Sequence, residues 1–184
     1  EWGISSYHAY ALGIALICLA MAIAERLQEP DPPEFVIVNP HSADGWLEDK
    51  VMSTARAELL DVVRKCDRHG RFRIFYPVTE GREDIYVHAK IMIVDDLVLK
   101  VGSANMNNRS LGLDSECDVT IDGRIPANEG CRQQIEALRY DLMGEHLGVA
   151  PAEVAKVFQE TNSLIATVDR LRGEGRSLRL YRPP

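Results

Sequence analysis

Apolar residues recur along this chain with two different periods, and the changes of period mark its elements. Ala9 to Ala24 runs sixteen residues without a charge, AYALGIALICLAMAIA, and 9–28 reads as a helix. Glu25 and Arg26 end the apolar run, and Pro30, Asp31, Pro32 and Pro33 break the helix, since proline lacks the N–H it needs. Phe35 to Val38 is a short apolar run after that turn, hence a buried strand. Asn39 to Gly45 is a loop. Trp46 to His69 has helical spacing, with Met52, Leu59, Leu60 and Val63 on its apolar positions and Gly70 as the C-cap.

Beyond Gly70 the period shortens to two. Phe72, Ile74 and Tyr76 alternate with Arg71, Arg73 and Phe75, giving a second strand that Pro77 ends. Val78 to Asp84 reads as a polar loop. Tyr86 to Val94 and Leu97 to Val101 are a third and a fourth strand, with Asp95-Asp96 as the turn between them. Asn105 to Ser115 is a long polar turn, and Glu116 to Ile121 a fifth strand. Helical spacing returns over 127–147, ending near Gly148. A further helix starts at Pro151, a residue suited to a first turn, and runs to about Arg172. This order predicts an α/β fold, a mixed β-sheet flanked by helices.

Composition adds bounds. The 184 residues suffice for one domain or a large part of one. Hydrophobic content of 46% and charged content of 27% suit a globular protein. A formal net charge of −7 argues against broad contact with a nucleic-acid backbone. Cys18, Cys66, Cys117 and Cys131 show no CxxC spacing, so buried or free thiols in a reducing, cytoplasmic compartment are expected. The 9–24 run falls a little short of the roughly 18–20 apolar residues that span a bilayer. A core helix, a membrane-associated helix and a signal remnant are its three readings, and no positive segment precedes it to favour the last.

The chemistry is concentrated in His88-Ala89-Lys90-Ile91-Met92-Ile93-Val94-Asp95 and in Gly102-Ser103-Ala104-Asn105. In a strand, His88, Lys90, Met92 and Val94 point one way and Ala89, Ile91 and Ile93 the other. An imidazole and an ammonium about 6–7 Å apart can address one phosphate. Fixed donors stabilise the charge that develops on its oxygens. Gly102 permits close backbone approach. Ser103 and Asn105 offer a hydroxyl and an amide two positions apart.

The pattern HxKxxxxDx6GSxN, complete here, resembles the HKD motif of the phospholipase D superfamily. Ile85-Tyr86-Val87 before His88 resembles the IYVHxK form of bacterial and plant-like members. Asn107-Asn108-Arg109-Ser110, Glu116-Cys117-Asp118, Gly45-Trp46-Leu47-Glu48, Leu138-Arg139 and Glu145-His146-Leu147-Gly148 resemble flanking segments of the same family. The likeness covers roughly 25–173 and corresponds to the C-terminal half of a two-motif enzyme. It gives a phospholipase D-like catalytic half-domain at 25–173, which the apolar helix at 1–24 precedes and a Gly/Arg-rich surface tail at 174–184 follows.

The resemblance implies a phosphodiesterase or phosphatidyltransferase cleaving the head-group phosphodiester of phospholipids through a phosphohistidine. It implies His88 as general acid, Lys90 and Asn105 on phosphate oxygens, Ser103 assisting, and Glu116 as the acid that orients the histidine. Asp95 and Gly102 are structural members of the motif. No metal or cofactor is implied, because Lys and His supply the positive charge. The expected partners are a phospholipid substrate, a membrane surface and a second HKD half, with no nucleic acid. His8, His41, His69 and His146 lack a lysine two residues on, so the chain holds one HxK. The second half is then either a missing N-terminal domain or another copy of this chain. A homodimeric HKD nuclease and an inactive half that binds phospholipid or a partner are the alternatives.

Overall fold

The computed structural model describes residues 21–41, 60–105, 110 and 112–182. The expected elements over 9–20 and 46–59, Cys18, and Asn107 to Arg109 lie outside the described residues. Residues 21–26 and 60–66 are helical. Ala24 and Leu27 are buried, so this end of the N-terminal element belongs to the core.

Six strands form two sheets. In the first, β1 (Phe35–Val38) runs parallel to β2 (Phe72–Val78), and β6 (Ser177–Leu180) lies antiparallel on the other side of β2. In the second, β3 (Ile91–Val94), β4 (Val98–Gly102) and β5 (Asp118–Asp122) form an antiparallel meander. Helices α1 (Cys131–Leu147), α2 (Pro151–Thr161) and α3 (Leu164–Leu171) follow β5. This is the α/β arrangement of mixed sheet and helices that the pattern predicts.

The first sheet carries the core on both faces. Leu27, Leu60, Val63, Phe72, Ile74 and Tyr181 cluster on one side. Phe75, Leu147, Val168 and Leu178 cluster on the other, under the helices. Four features of this sheet and of the helices differ from expectation. Pro77 sits inside β2 rather than ending it, because β1 covers only Phe72 to Phe75 and Pro77 lies past that edge. The expected helix over 151–172 is two helices. Asn162 takes a left-handed φ of 48°, and Ser163 caps α3 by accepting from the Ala166 N–H. Residues 126–128 form a short 3-10 turn, so the long helix starts at Cys131 rather than at 127.

The fourth difference is the tail. Residues 177–181 are not a surface tail: Ser177 and Leu178 are buried and β6 pairs with β2 over four residues. The free edge of a seven-residue strand accounts for this, since its backbone groups need partners.

The second sheet is two-faced. Directly opposed residues share a face. Ile91, Val101 and Val119 form one row and Ile93, Leu99 and Ile121 the next, all apolar. The opposite face has Met92, Lys100 and Thr120, then Val94, Val98 and Asp122. Gly102 is required by packing: a Cβ there would meet the Asp118 Cα and the Cys117 carbonyl at 2.6 Å. Gly144 is similar, since a Cβ would lie 2.7 Å from the Val149 carbonyl where the chain doubles back from α1 into α2. Among the described residues no helix is long and apolar enough to cross a membrane. Cys66, Cys117 and Cys131 are free.

Candidate active site

The third strand is shorter than the alternation suggests. It begins at Ile91, so His88 and Lys90 lie on an extended lead-in rather than on the ladder. The reason is the partner: β4 ends at Gly102, whose N–H donates to the Lys90 carbonyl at 3.2 Å. The parity of side chains still holds along β3. Met92 and Val94 lie on the face of Lys100, Thr120 and Asp122, and the isoleucines on the apolar one.

Lys90 and Ser103 flank the open end of the β3–β4 hairpin, next to Ile91 and Gly102. The Lys90 ammonium donates to the His88 carbonyl at 2.5 Å and lies close enough to Glu116 to act on its charge. Ser103 is held from both sides. Its hydroxyl donates to Glu116 Oε2 at 2.5 Å and accepts from the Cys117 N–H at 3.0 Å. The Ser103 N–H donates to the Cys117 carbonyl. Glu116 is a carboxylate well adapted to this place. The Ser103 hydroxyl, then that of Ser110, lowers its pKa below the usual 4.5.

Glu116 hydrogen-bonds the two serines and not His88. The His88 ring instead stacks on Tyr86 with centroids 6.2 Å apart. Asn105 is exposed. Asp95 sits in the β3–β4 turn with a φ of 53°, away from the hairpin's open end.

Two residues of the cluster, quoted in the sequence only as parts of flanking segments, have contacts that the sequence does not assign. Asp118 pairs with Lys100 at 3.0 Å and accepts from the Ala104 N–H at 3.3 Å, so it fixes the GSxN turn from β5. Its pKa is lowered, first by Lys100. Ser110 adds a second hydroxyl to Glu116. The acid in Glu-Cys-Asp was visible as a motif, but its partners follow only from the β4–β5 register. A separate pair lies outside this cluster: His41 Nδ1 is 2.7 Å from Asp84 Oδ2, and its ring stacks on Tyr76 at 4.2 Å. Among the described residues no group of His, Cys, Asp and Glu could hold a metal ion.

Comparison with known proteins shows the family. The family model described as Phospholipase D matches residues 72–175, more than half of the chain and all of β2 through α3. The chain belongs to the phospholipase D family. Phospholipase D alpha 1 of Oryza sativa subsp. japonica is 40% identical over 84 residues, 44% of this chain and 10% of its own length. Phospholipase D alpha 2 of Arabidopsis thaliana is 42% identical over 69 residues, 35% of this chain and 8% of its own length. Phospholipase D zeta 2 of Arabidopsis thaliana is 36% identical over 94 residues, 46% of this chain and 9% of its own length. The chain thus matches about a tenth of each of these relatives.

Proposed function

We propose that this chain supplies one of two HKD motifs to a phospholipase D-type phosphodiesterase or phosphatidyltransferase. The observation that carries the reading is the convergence of Lys90, Ser103 and Glu116 at one end of a hairpin, with His88 on the adjoining backbone. Lys90 offers a compact positive charge to a non-bridging phosphate oxygen. Ser103, already committed to Glu116 and the Cys117 N–H, assists from a fixed position. Asn105 brings an amide to the same oxygens.

The chemistry runs in two displacements. An imidazole nitrogen of the second half attacks phosphorus, and the bond from phosphorus to the head-group oxygen breaks. His88, protonated, gives its proton to that oxygen, so a neutral alcohol leaves. His88, now neutral, takes a proton from water or an added alcohol, which attacks phosphorus and expels the histidine of the other half. Glu116 acts one step removed, by holding Ser103, rather than by orienting His88.

The test combines this chain with a second half carrying its own HxK and presents vesicles of phosphatidylcholine with and without ethanol. Release of choline, with formation of phosphatidylethanol when ethanol is present, is expected, and His88→Asn abolishes both. Choline release that survives His88→Asn overturns the assignment.

A further inference from the structure

The β3–β4 hairpin has two ends with different tasks. The open end carries Lys90 and Ser103. The closed end is Asp95-Asp96, both with left-handed φ, 53° and 55°. From that turn Asp96 reaches across to α1. Arg139 Nε lies 2.7 Å from its Oδ1 and Nη2 lies 2.8 Å from its Oδ2, a two-pronged contact. The guanidinium is 8% exposed as a residue and packs over the rings of Tyr140 and Phe158, at 4.5 and 4.3 Å. Glu136 adds a carboxylate 4.0 Å away.

A buried ion pair is weak evidence for stability, because the desolvation of both charges offsets their attraction. What a planar fork on a carboxylate does supply is orientation, since two parallel bonds fix both distance and angle. The rings on Arg139 remove the remaining freedom of its plane. The hairpin then acts as a lever of about 15 Å from turn to open end, so a tilt of ~10° would move Lys90 by ~2–3 Å. A misplacement of about 1 Å costs on the order of a hundredfold in rate.

We propose that Arg139, through Asp96, is a positioning residue that aims the HKD hairpin at the phosphate. The inference rests on the phosphodiesterase reading for its consequence in turnover, and on geometry alone for the aim itself. Arg139 touches neither substrate nor the reacting atoms on this reading.

The experiment uses the full chain with Asp96→Asn, with the double variant Asp96→Asn/Arg139→Gln, and with Asp96→Glu. The double variant removes both charges together, so no buried guanidinium is left unpaired. Residual dipolar couplings of Ile91–Val94 and Val98–Gly102 are compared with those of Cys131–Leu147. In the wild type hairpin and helix fit one alignment frame. In the double variant the hairpin needs its own frame, while helical circular dichroism is unchanged. Assembled with a second HKD half, the double variant loses about a hundredfold in kcat with KM within twofold, and Asp96→Glu recovers part of the loss. A hairpin that keeps its wild-type orientation, an unchanged kcat, or a double variant that does not fold each overturns the proposal. A wild-type assembly without turnover instead defeats the phosphodiesterase reading, and the couplings alone then decide the aim.

Discussion

Ser103 has little freedom: its hydroxyl donates to Glu116 and accepts from the Cys117 N–H. The lowered pKa of Glu116 follows from that bond first and from Ser110 second. Ser103→Ala should therefore move the Glu116 titration up toward its ordinary 4.5, read by carbon-13 NMR. The sign for stability is that of a depressed acid. The contribution is present above the unfolded value near 4.5 and fades as pH falls through the lowered folded value. An unmoved titration in Ser103→Ala removes the serine as its cause. At Lys90 the expected loss is catalytic: Lys90→Ala lowers turnover of an assembled enzyme by about 10²–10³-fold with the fold intact. Lys90→Arg restores only part of it, because a planar fork does not replace a compact ammonium. Full turnover in either variant rules the role out. The residues of HxK and GSxN were legible because each has distinctive chemistry and a fixed spacing. Glu116 was legible as a motif acid but not as the partner of Ser103. That pairing arises from the approach of β5 to Gly102, which no local pattern encodes.

The strands and helices were legible where one period ran long enough. β1, β4 and α1 fall near their expected positions: β1 and β4 are short apolar runs between turn residues, and α1 keeps helical spacing along its length. β6 was missed although Leu178 and Leu180 alternate with Ser177 and Arg179, because four residues among glycines and arginines give a weak local signal. Its burial is a tertiary effect of the open edge of β2. Leu178 is 1% exposed and packs with Phe75, Leu147 and Val168. Leu178→Ala should cost about 2–5 kcal/mol in urea unfolding, and a loss below about 1 kcal/mol would make β6 the surface segment that the sequence suggests. The break between α2 and α3 was hidden for a different reason: Asn162-Ser163 is tolerated inside a helix and becomes a boundary only when Ser163 finds a role. Here it caps α3 and donates to Glu34, which also accepts from the Leu164 and Ile165 N–H groups. Ser163→Ala should cost about 1 kcal/mol by loss of the cap, measured by thermal unfolding.

At the scale of the whole molecule, the core and the candidate chemistry sit on different sheets. Both hydrophobic clusters are built on the first sheet. None of the described residues of β3, β4 and β5 is buried, and Ile91, Val101, Val119 and Ile121 of one face are 36–64% exposed. The hairpin that presents Lys90 and Ser103 thus stands apart from the core, joined to α1 by the Arg139–Asp96 pair. The reaction sets a further condition. In-line displacement at phosphorus needs a nucleophile on one flank and a leaving-group acid on the other at the same moment. The sequence holds one HxK, so one imidazole cannot occupy both flanks. The 184-residue chain taken alone as a monomer should therefore release no choline from phosphatidylcholine above background, while retaining weak binding of inorganic phosphate that Lys90→Ala removes. Activity should arise only when a second histidine arrives, from another half or from a second copy across a two-fold axis. Light scattering alongside the choline assay separates these cases. A preparation that stays monomeric and still turns over lipid at a His88-dependent rate would show that one HKD motif suffices.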